Sequence, residues 1–264
     1  MNVQLLVIDP QNDFCDQRGN LFVAGATEDM QRLVAMMNRI GNKLSGINVT
    51  IDSHRMIDVA HPCFWVDSQG KNPNPFTIIS ASDVRNGKWT PTYAGFNKKA
   101  LAYVEALEAN KRYQLTIWPY HCIIGSWGHA LVPAFSDVIC QWEMKKFRPI
   151  NYVTKGSNIL TEHYSAVRSE VEDPSDPSTQ LNTQLLDLLA LSDIVILAGE
   201  ARSHCVANTI RDIANNFGEE NIKKMCLLQD CTSDVTGFEQ FGKDFINEMI
   251  PRGMQISTST DILS

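Results

Sequence analysis

The chain contains no run of about 18 apolar residues, which leaves nothing long enough to cross a bilayer as a helix. It lacks an excess of positive charge. There are 23 Lys and Arg against 30 Asp and Glu, for a net charge of -7 and a pI near 5.4. No basic stripe breaks this balance, so neither nucleic acid nor an anionic membrane is expected as a partner. The first residues, Met1 to Asp9, carry no basic stretch and no cleavage site, so no signal peptide is expected. The seven cysteines are odd in number and form no CxxC pair, which points to reduced thiols in a cytoplasmic protein. Internal repeats and low-complexity tracts are also missing. What remains is 44% hydrophobic and 20% charged over 264 residues, a globular composition. No strong shift in composition divides it. The expectation is a single domain over 1–264 with a surface insertion at about 66–95, where Gly, Asn and Pro crowd together but Phe76, Ile78, Ile79, Trp89, Tyr93 and Phe96 supply packing material.

The stretch from Asp193 to Ile213 organises the rest. Ile194 to Ala198 is apolar and β-branched, and reads as a buried parallel strand. Gly199 ends it. Val206, Ile210, Ile213 and Ala214 then recur at helical spacing, with Ser203 as the expected N-cap. Cys205 thus falls at a helix start beyond the carboxyl end of a strand, where open α/β sheets form ligand crevices. A helix N-terminus there is expected to lower the thiol pKa. Taken alone, Cys205 reads equally as a small buried hydrophobe.

Similar alternation runs through the chain. Strands are expected at 3–8, 47–51, 150–153, 225–228 and, as an edge, 254–257, with a polar loop over 9–14. Helices are expected at 27–44 with Thr27 as N-cap, at 97–110, within 127–142, at 181–191 and at 238–250. This order predicts an α/β fold, a doubly wound and mostly parallel sheet with helices on both faces.

Four polar residues fall at strand ends: Asp9, Asp52, Lys155 and Cys205. In a parallel sheet these ends share one edge, so the four are expected to converge. Any one alone also reads as a loop cap. A thiol needs a base for its proton and a cation for its thiolate, and Asp9 and Lys155 supply both. Asp52 and His54 stand two apart at a strand end, with His61 and His121 available to join them. A carboxylate with imidazoles suits zinc, iron or manganese with open positions. A hydrogen-bonded Asp–His pair without metal fits the spacing as well.

Together, Asp9-x-Gln-Asn-Asp-Phe14, Asp52-x-His54, Trp118-Pro-x-His121-Cys122, Lys155-Gly156 and Gly199-x-Ala-x-x-His-Cys205 resemble the nicotinamidases, within the isochorismatase-like cysteine hydrolases. The match runs in order from residue 3 to about 235. It implies that fold and hydrolysis of nicotinamide to nicotinate and ammonia, in NAD salvage, through a cysteine thioester. Cys205 is then the nucleophile, Asp9 the general base and Lys155 the cation beside them. Asp52, His54 and His121 hold a divalent metal, zinc first, with iron or manganese as alternatives. His61 matches a position that is a ligand in only some members. Phe14, Trp118 and Tyr164 flank the ring. A cis peptide precedes Ala201, and the N–H groups of Ala201 and Cys205 form the oxyanion hole. Self-association is common in the family, though no residue marks an interface. Pro10 and Glu200 depart from the pattern, Glu200 standing where a small or apolar residue is usual. The rival readings are a hydrolase of the same fold acting on another small amide or ureido substrate, and an inactive relative serving as a binding protein.

Overall fold

The computed structural model describes residues 1–264. Its strands in chain order are β1 (Val3–Ile8), β2 (Gly46–Asp52), β3 (Trp65–Val66), β4 (Ile78–Ile79), β5 (Thr90–Pro91), β6 (Leu115–Thr116), β7 (Asn151–Lys155), β8 (Ile194–Gly199), β9 (Met225–Leu228) and β10 (Gln255–Ser257). Six of them form one parallel sheet in the order β10-β9-β8-β1-β2-β7. β1 and β8 lie at its centre and bury nearly every residue, which is why their sequences are continuous apolar runs instead of alternating ones. From β1 the chain winds outward to β2 and β7, then returns to β8 and winds the other way. Strand order therefore reverses between β1 and β8, and a crevice opens beyond their carboxyl ends.

Right-handed crossovers running in opposite directions put helices on opposite faces. Helix Ala26–Ile40 packs on helix Pro133–Lys146, while helix Ala207–Phe217 meets both Thr183–Ala190 and Glu239–Met249. The apolar side chains between these layers and the sheet form one connected core. No helix is long and apolar enough to cross a membrane.

Local departures from the expected elements have local causes. Residues 12–15 of the supposed polar loop make a short helix. Thr27 is not a cap: Gly25, at φ +100°, precedes the helix, and the Thr27 hydroxyl donates to the Cys15 carbonyl at 2.8 Å. The helix expected within 127–142 begins only at Pro133, whose ring suits a first turn. Gly128 and Ala130 instead give their carbonyls to the Asp13 and Asn12 N–H groups, and His129 gives its carbonyl to the Gln11 side chain. Segment 66–95 contributes β4, which pairs antiparallel with β6 outside it, β5, which pairs antiparallel with β3 at its start, and a helix, Ala81–Arg85, begun by a reciprocal Ser80–Asp83 capping box. Ile79 is buried there, but Phe76 and Tyr93 are more than half exposed, so not all of the expected packing material packs.

Candidate active site

Asp9, Asp52, Lys155 and Cys205 do converge. Asp9 follows β1, Asp52 and Lys155 end the neighbouring strands β2 and β7, and Cys205 lies just past β8. The Lys155 Nζ is 3.0 Å from Asp9 Oδ2, 3.0 Å from Asp52 Oδ1 and 3.6 Å from the Cys205 Sγ. All four side chains are buried. Burial penalises the Lys155 charge, yet the two carboxylates outweigh it and hold the amine well above its usual range. Burial likewise pushes Asp52 up, but His54 and Lys155 overcome it and hold its carboxyl well below the usual range. Asp9 goes the other way: burial raises it, the Asp52 charge adds to this, and Lys155 compensates only in part. Asp9 is thus the more basic of the two carboxylates flanking the amine. Thr50, on the same face of β2 as Asp52, gives its hydroxyl to Asp9 Oδ1 and accepts the Asp9 N–H at 2.9 Å.

One sequence expectation fails at Cys205. The residue occupies a wide π-type turn, Arg202–Val206, that runs into helix Ala207–Phe217, so it does sit at a helix start. Its thiol pKa is raised, not lowered. Burial is the main cause and Asp9 and Asp52 add to it, against the opposing effect of Lys155. The resting group is a thiol next to a carboxylate, not a free thiolate. Ser203 is not the N-cap either. Its hydroxyl accepts the Val235 N–H at 3.1 Å and lies 2.9 Å from His204 Nδ1.

Asp52 also joins a second group. The ligand atoms of Asp52, His54 and His121 all lie within 4.8 Å of one another. His54 Nδ1 meets Asp58 Oδ2 at 3.0 Å, and His121 Nδ1 meets the Pro119 carbonyl at 2.8 Å. In each ring the remaining Nε2 turns to Asp52 Oδ2, at 3.0 and 3.5 Å. Outer hydrogen bonds that settle which nitrogen stays free are a mark of metal-binding histidines. This donor set, one carboxylate and two imidazoles, suits a divalent metal ion. His61 stands beside it, its ring 5.1 Å from that of His54 and its buried Nε2 without a partner, though outside the three-residue cluster. Burial, with His121 nearby, pushes the His61 pKa down to about 4, which keeps the ring neutral.

The polar residues of the Asp9–Phe14 stretch hold these pieces in register. The Gln11 side chain takes the Asp52 N–H and donates to the Asp52 carbonyl, both at 2.8 Å, which extends the β1–β2 pairing by one side chain. Asp13 accepts the Cys122 N–H at 2.6 Å and so anchors the loop that carries His121. Gly156, at φ +83°, allows the chain to pass Asp52, where a Cβ would come within 2.8 Å of Oδ1.

A cavity of about 370 Å³, counting its open mouth, joins the two groups; Asp52, His121, Lys155, Ala201 and Cys205 all line it. Phe14, Trp118 and Tyr164 form aromatic walls, with the Trp118 Nε1 donating to the Tyr164 hydroxyl at 3.0 Å. Phe76, from segment 66–95, meets Trp118 edge-on at 5.9 Å. The Glu200–Ala201 peptide is cis, and the Ala201 N–H donates to no group of the protein.

Sequence reading missed Thr50, Asp58 and Glu162. Glu162 lines the cavity, fully buried, with Oε2 unpartnered. Only Thr50 left a trace, through the period of two that puts it on the Asp52 face. Asp58 and Glu162 sit in irregular segments with no periodicity to read.

No protein-family model matches the sequence, and no curated protein matches it. Solved structures do. The yeast nicotinamidase Pnc1p aligns over 96% of this chain and 98% of its own, at 21% identity and a TM-score of 0.65. A nicotinamidase/pyrazinamidase of Acinetobacter baumannii aligns over 99% and 98%, also at 21% and 0.65. The pyrazinamidase of Pyrococcus horikoshii, solved in complex with zinc, aligns over 98% and 99% at 17% and 0.58. With its six parallel strands, surrounding helices and crevice at the β1–β8 reversal, the chain has the isochorismatase-like α/β fold of these nicotinamidases and pyrazinamidases.

Proposed function

We propose that this chain is a metal-dependent amidohydrolase that converts nicotinamide to nicotinate and ammonia, a step of NAD salvage. The observation that carries the reading is the Lys155 amine, which links a thiol–carboxylate pair to an Asp–His–His group inside one aromatic cavity. The fold neighbours add support, since the yeast enzyme binds the inhibitor nicotinaldehyde and PnC1 from L. infantum is solved in complex with nicotinate.

In this mechanism Asp9 takes the Cys205 proton as the sulfur attacks the carboxamide carbon, and Lys155 offsets the negative charge of the pair. The carbonyl electron pair moves to oxygen, which meets the Ala201 and Cys205 N–H groups, donors worth about 3 kcal/mol each in the transition state. Asp9 returns the proton to nitrogen, the C–N bond breaks and ammonia leaves a thioester on Cys205. Asp9 then takes a proton from water, whose oxygen attacks the thioester; the sulfur departs, recovers a proton, and nicotinate is released. Asp52, His54 and His121 would hold a divalent ion, zinc before iron or manganese, which would supply Lewis acidity beside the pyridine ring. Phe14, Trp118 and Tyr164 hold the ring between apolar faces and exclude bulk water.

Glu162 favours a second reading. It lines the cavity and keeps one buried oxygen without a protein partner, which suits a ligand with an extra hydrogen-bond donor, as in a ureido or other small amide. Ammonia release separates the readings. The purified protein is expected to release ammonia from nicotinamide, to contain about one divalent ion per chain, and to lose both ion and activity as Asp52→Ala. Turnover of ureido compounds alone would transfer the assignment to the second reading. Activity that survives complete metal removal would end the metal-dependent one.

A further inference from the structure

Ala201 is held from both sides. On one side, the Glu200 N–H donates to the Ile8 carbonyl at 2.8 Å, and the Glu200 carboxyl accepts the Ser233 N–H at 3.1 Å. On the other, the Arg202 N–H donates to the Ser233 carbonyl at 2.7 Å, and its guanidinium pairs with Asp234 through two hydrogen bonds. Ser233 is thereby gripped at its N–H and its C=O by the two residues that flank Ala201. Its hydroxyl in turn donates to Asp29, in helix Ala26–Ile40, which is paired with Arg32. Glu200 is completely buried, and burial with Asp29 nearby pushes its carboxyl well above the usual range. An apolar side chain of the same size would fill this space but leave the Ser233 N–H without an acceptor.

We infer that Glu200 is a positioning residue, which acts through Ser233 to aim the Ala201 N–H into the cavity as an oxyanion donor. The inference rests on the amide-hydrolase reading above. A donor of this kind works on the charge that develops in the transition state, so its misplacement lowers kcat and leaves substrate binding alone. Pyridine-3-carbaldehyde reads out the same donor. The Cys205 sulfur adds to its carbonyl carbon, the carbonyl electron pair moves to oxygen, the thiol proton passes to Asp9, and the new oxyanion faces Ala201.

The test measures ammonia release from nicotinamide and inhibition by this aldehyde for wild type, Glu200→Gln and Glu200→Leu. Gln keeps an acceptor for Ser233 in neutral form, whereas Leu keeps the bulk without it. Glu200→Leu is expected to lower kcat roughly 10- to 100-fold with KM within about twofold, and to weaken the aldehyde by a similar factor. Glu200→Gln is expected to restore both to within about threefold of wild type. A Leu variant with normal kcat overturns the inference. So does a loss confined to KM, a kcat loss with aldehyde affinity intact, or a Gln variant as impaired as Leu. Should the Leu variant not fold, Glu200→Asp, whose shorter arm withdraws the acceptor, takes its place with the same readings. Wild type inert towards nicotinamide would end the function reading and this inference together, while active wild type with an indifferent Leu variant ends only the inference.

Discussion

Lys155 and Cys205 share a cavity but differ in what their loss exposes. Truncating Cys205 removes a neutral thiol and leaves no unpaired charge. Cys205→Ala is therefore expected to abolish ammonia release with its denaturation midpoint near that of wild type; residual turnover in a folded mutant would refute the nucleophile assignment. Truncating Lys155 leaves Asp9 and Asp52 facing each other, buried and without their shared cation. Breaking a buried pair in this way costs about 3–5 kcal/mol. Lys155→Ala is therefore expected to lose activity and also to unfold at clearly lower urea, as monitored by circular dichroism. A variant as stable as wild type would mean that the carboxylates do not depend on the amine. The strand-end rule made these residues legible because it needs only a strand signal and the polar residue that follows it. It has no purchase on the Cys205 pKa, which burial raises against the pull of Lys155, with two carboxylates at other strand ends adding to the rise.

Elements show the same division. Strands β1, β8 and β9 were readable because burial on both faces leaves an uninterrupted apolar signature, β2 because Ile47, Val49 and Ile51 alternate with polar residues, and the amphipathic helices from their period. Their ends were not. Ser203 and Thr27 have the chemistry of N-caps, but tertiary partners, Val235 and Cys15, claim their hydroxyls. The irregular stretch from His54 to Asp58 and the turn at Glu162 carry site residues with no period at all. Gly199 is the joint where a readable strand meets an unreadable turn. Its φ is +112°, and a Cβ there would overlap the Ile8 carbonyl at the centre of the sheet. Gly199→Ala thus combines backbone strain with a steric clash against main chain, and neither neighbour can retreat from the β1–β8 ladder. The expected loss is at least ~2 kcal/mol of stability, measured by urea denaturation, with activity falling further as the Ala201 turn shifts. Unchanged stability would show that β1 and β8 can separate locally at little cost.

At the scale of the whole molecule, gathering the polar groups of the candidate site at one sheet edge also gathers buried imidazoles. Burial pushes His204 and His163 down to about 3 and His61 to about 4. In the unfolded chain these rings titrate near 6.5. Between that value and the folded ones, the unfolded state holds more protons, so stability is complete above about pH 6.5 and is lost as pH falls. By pH 5 each such ring accounts for roughly 2 kcal/mol of the decline, which is a few degrees in Tm for a chain of this size. His204 is the clearest case, because burial alone lowers it and its ring is enclosed by Tyr113, Trp118, Tyr164, Phe238 and Phe241. Replacing it with Phe keeps the aromatic packing and removes the titration. The Tm of His204→Phe is expected to fall less than that of wild type between pH 7 and pH 5, even if its value at pH 7 is lower for want of the Ser203 hydrogen bond. Parallel Tm–pH lines for the two proteins would mean that the His204 ring takes up its proton in the folded state as readily as in the unfolded chain.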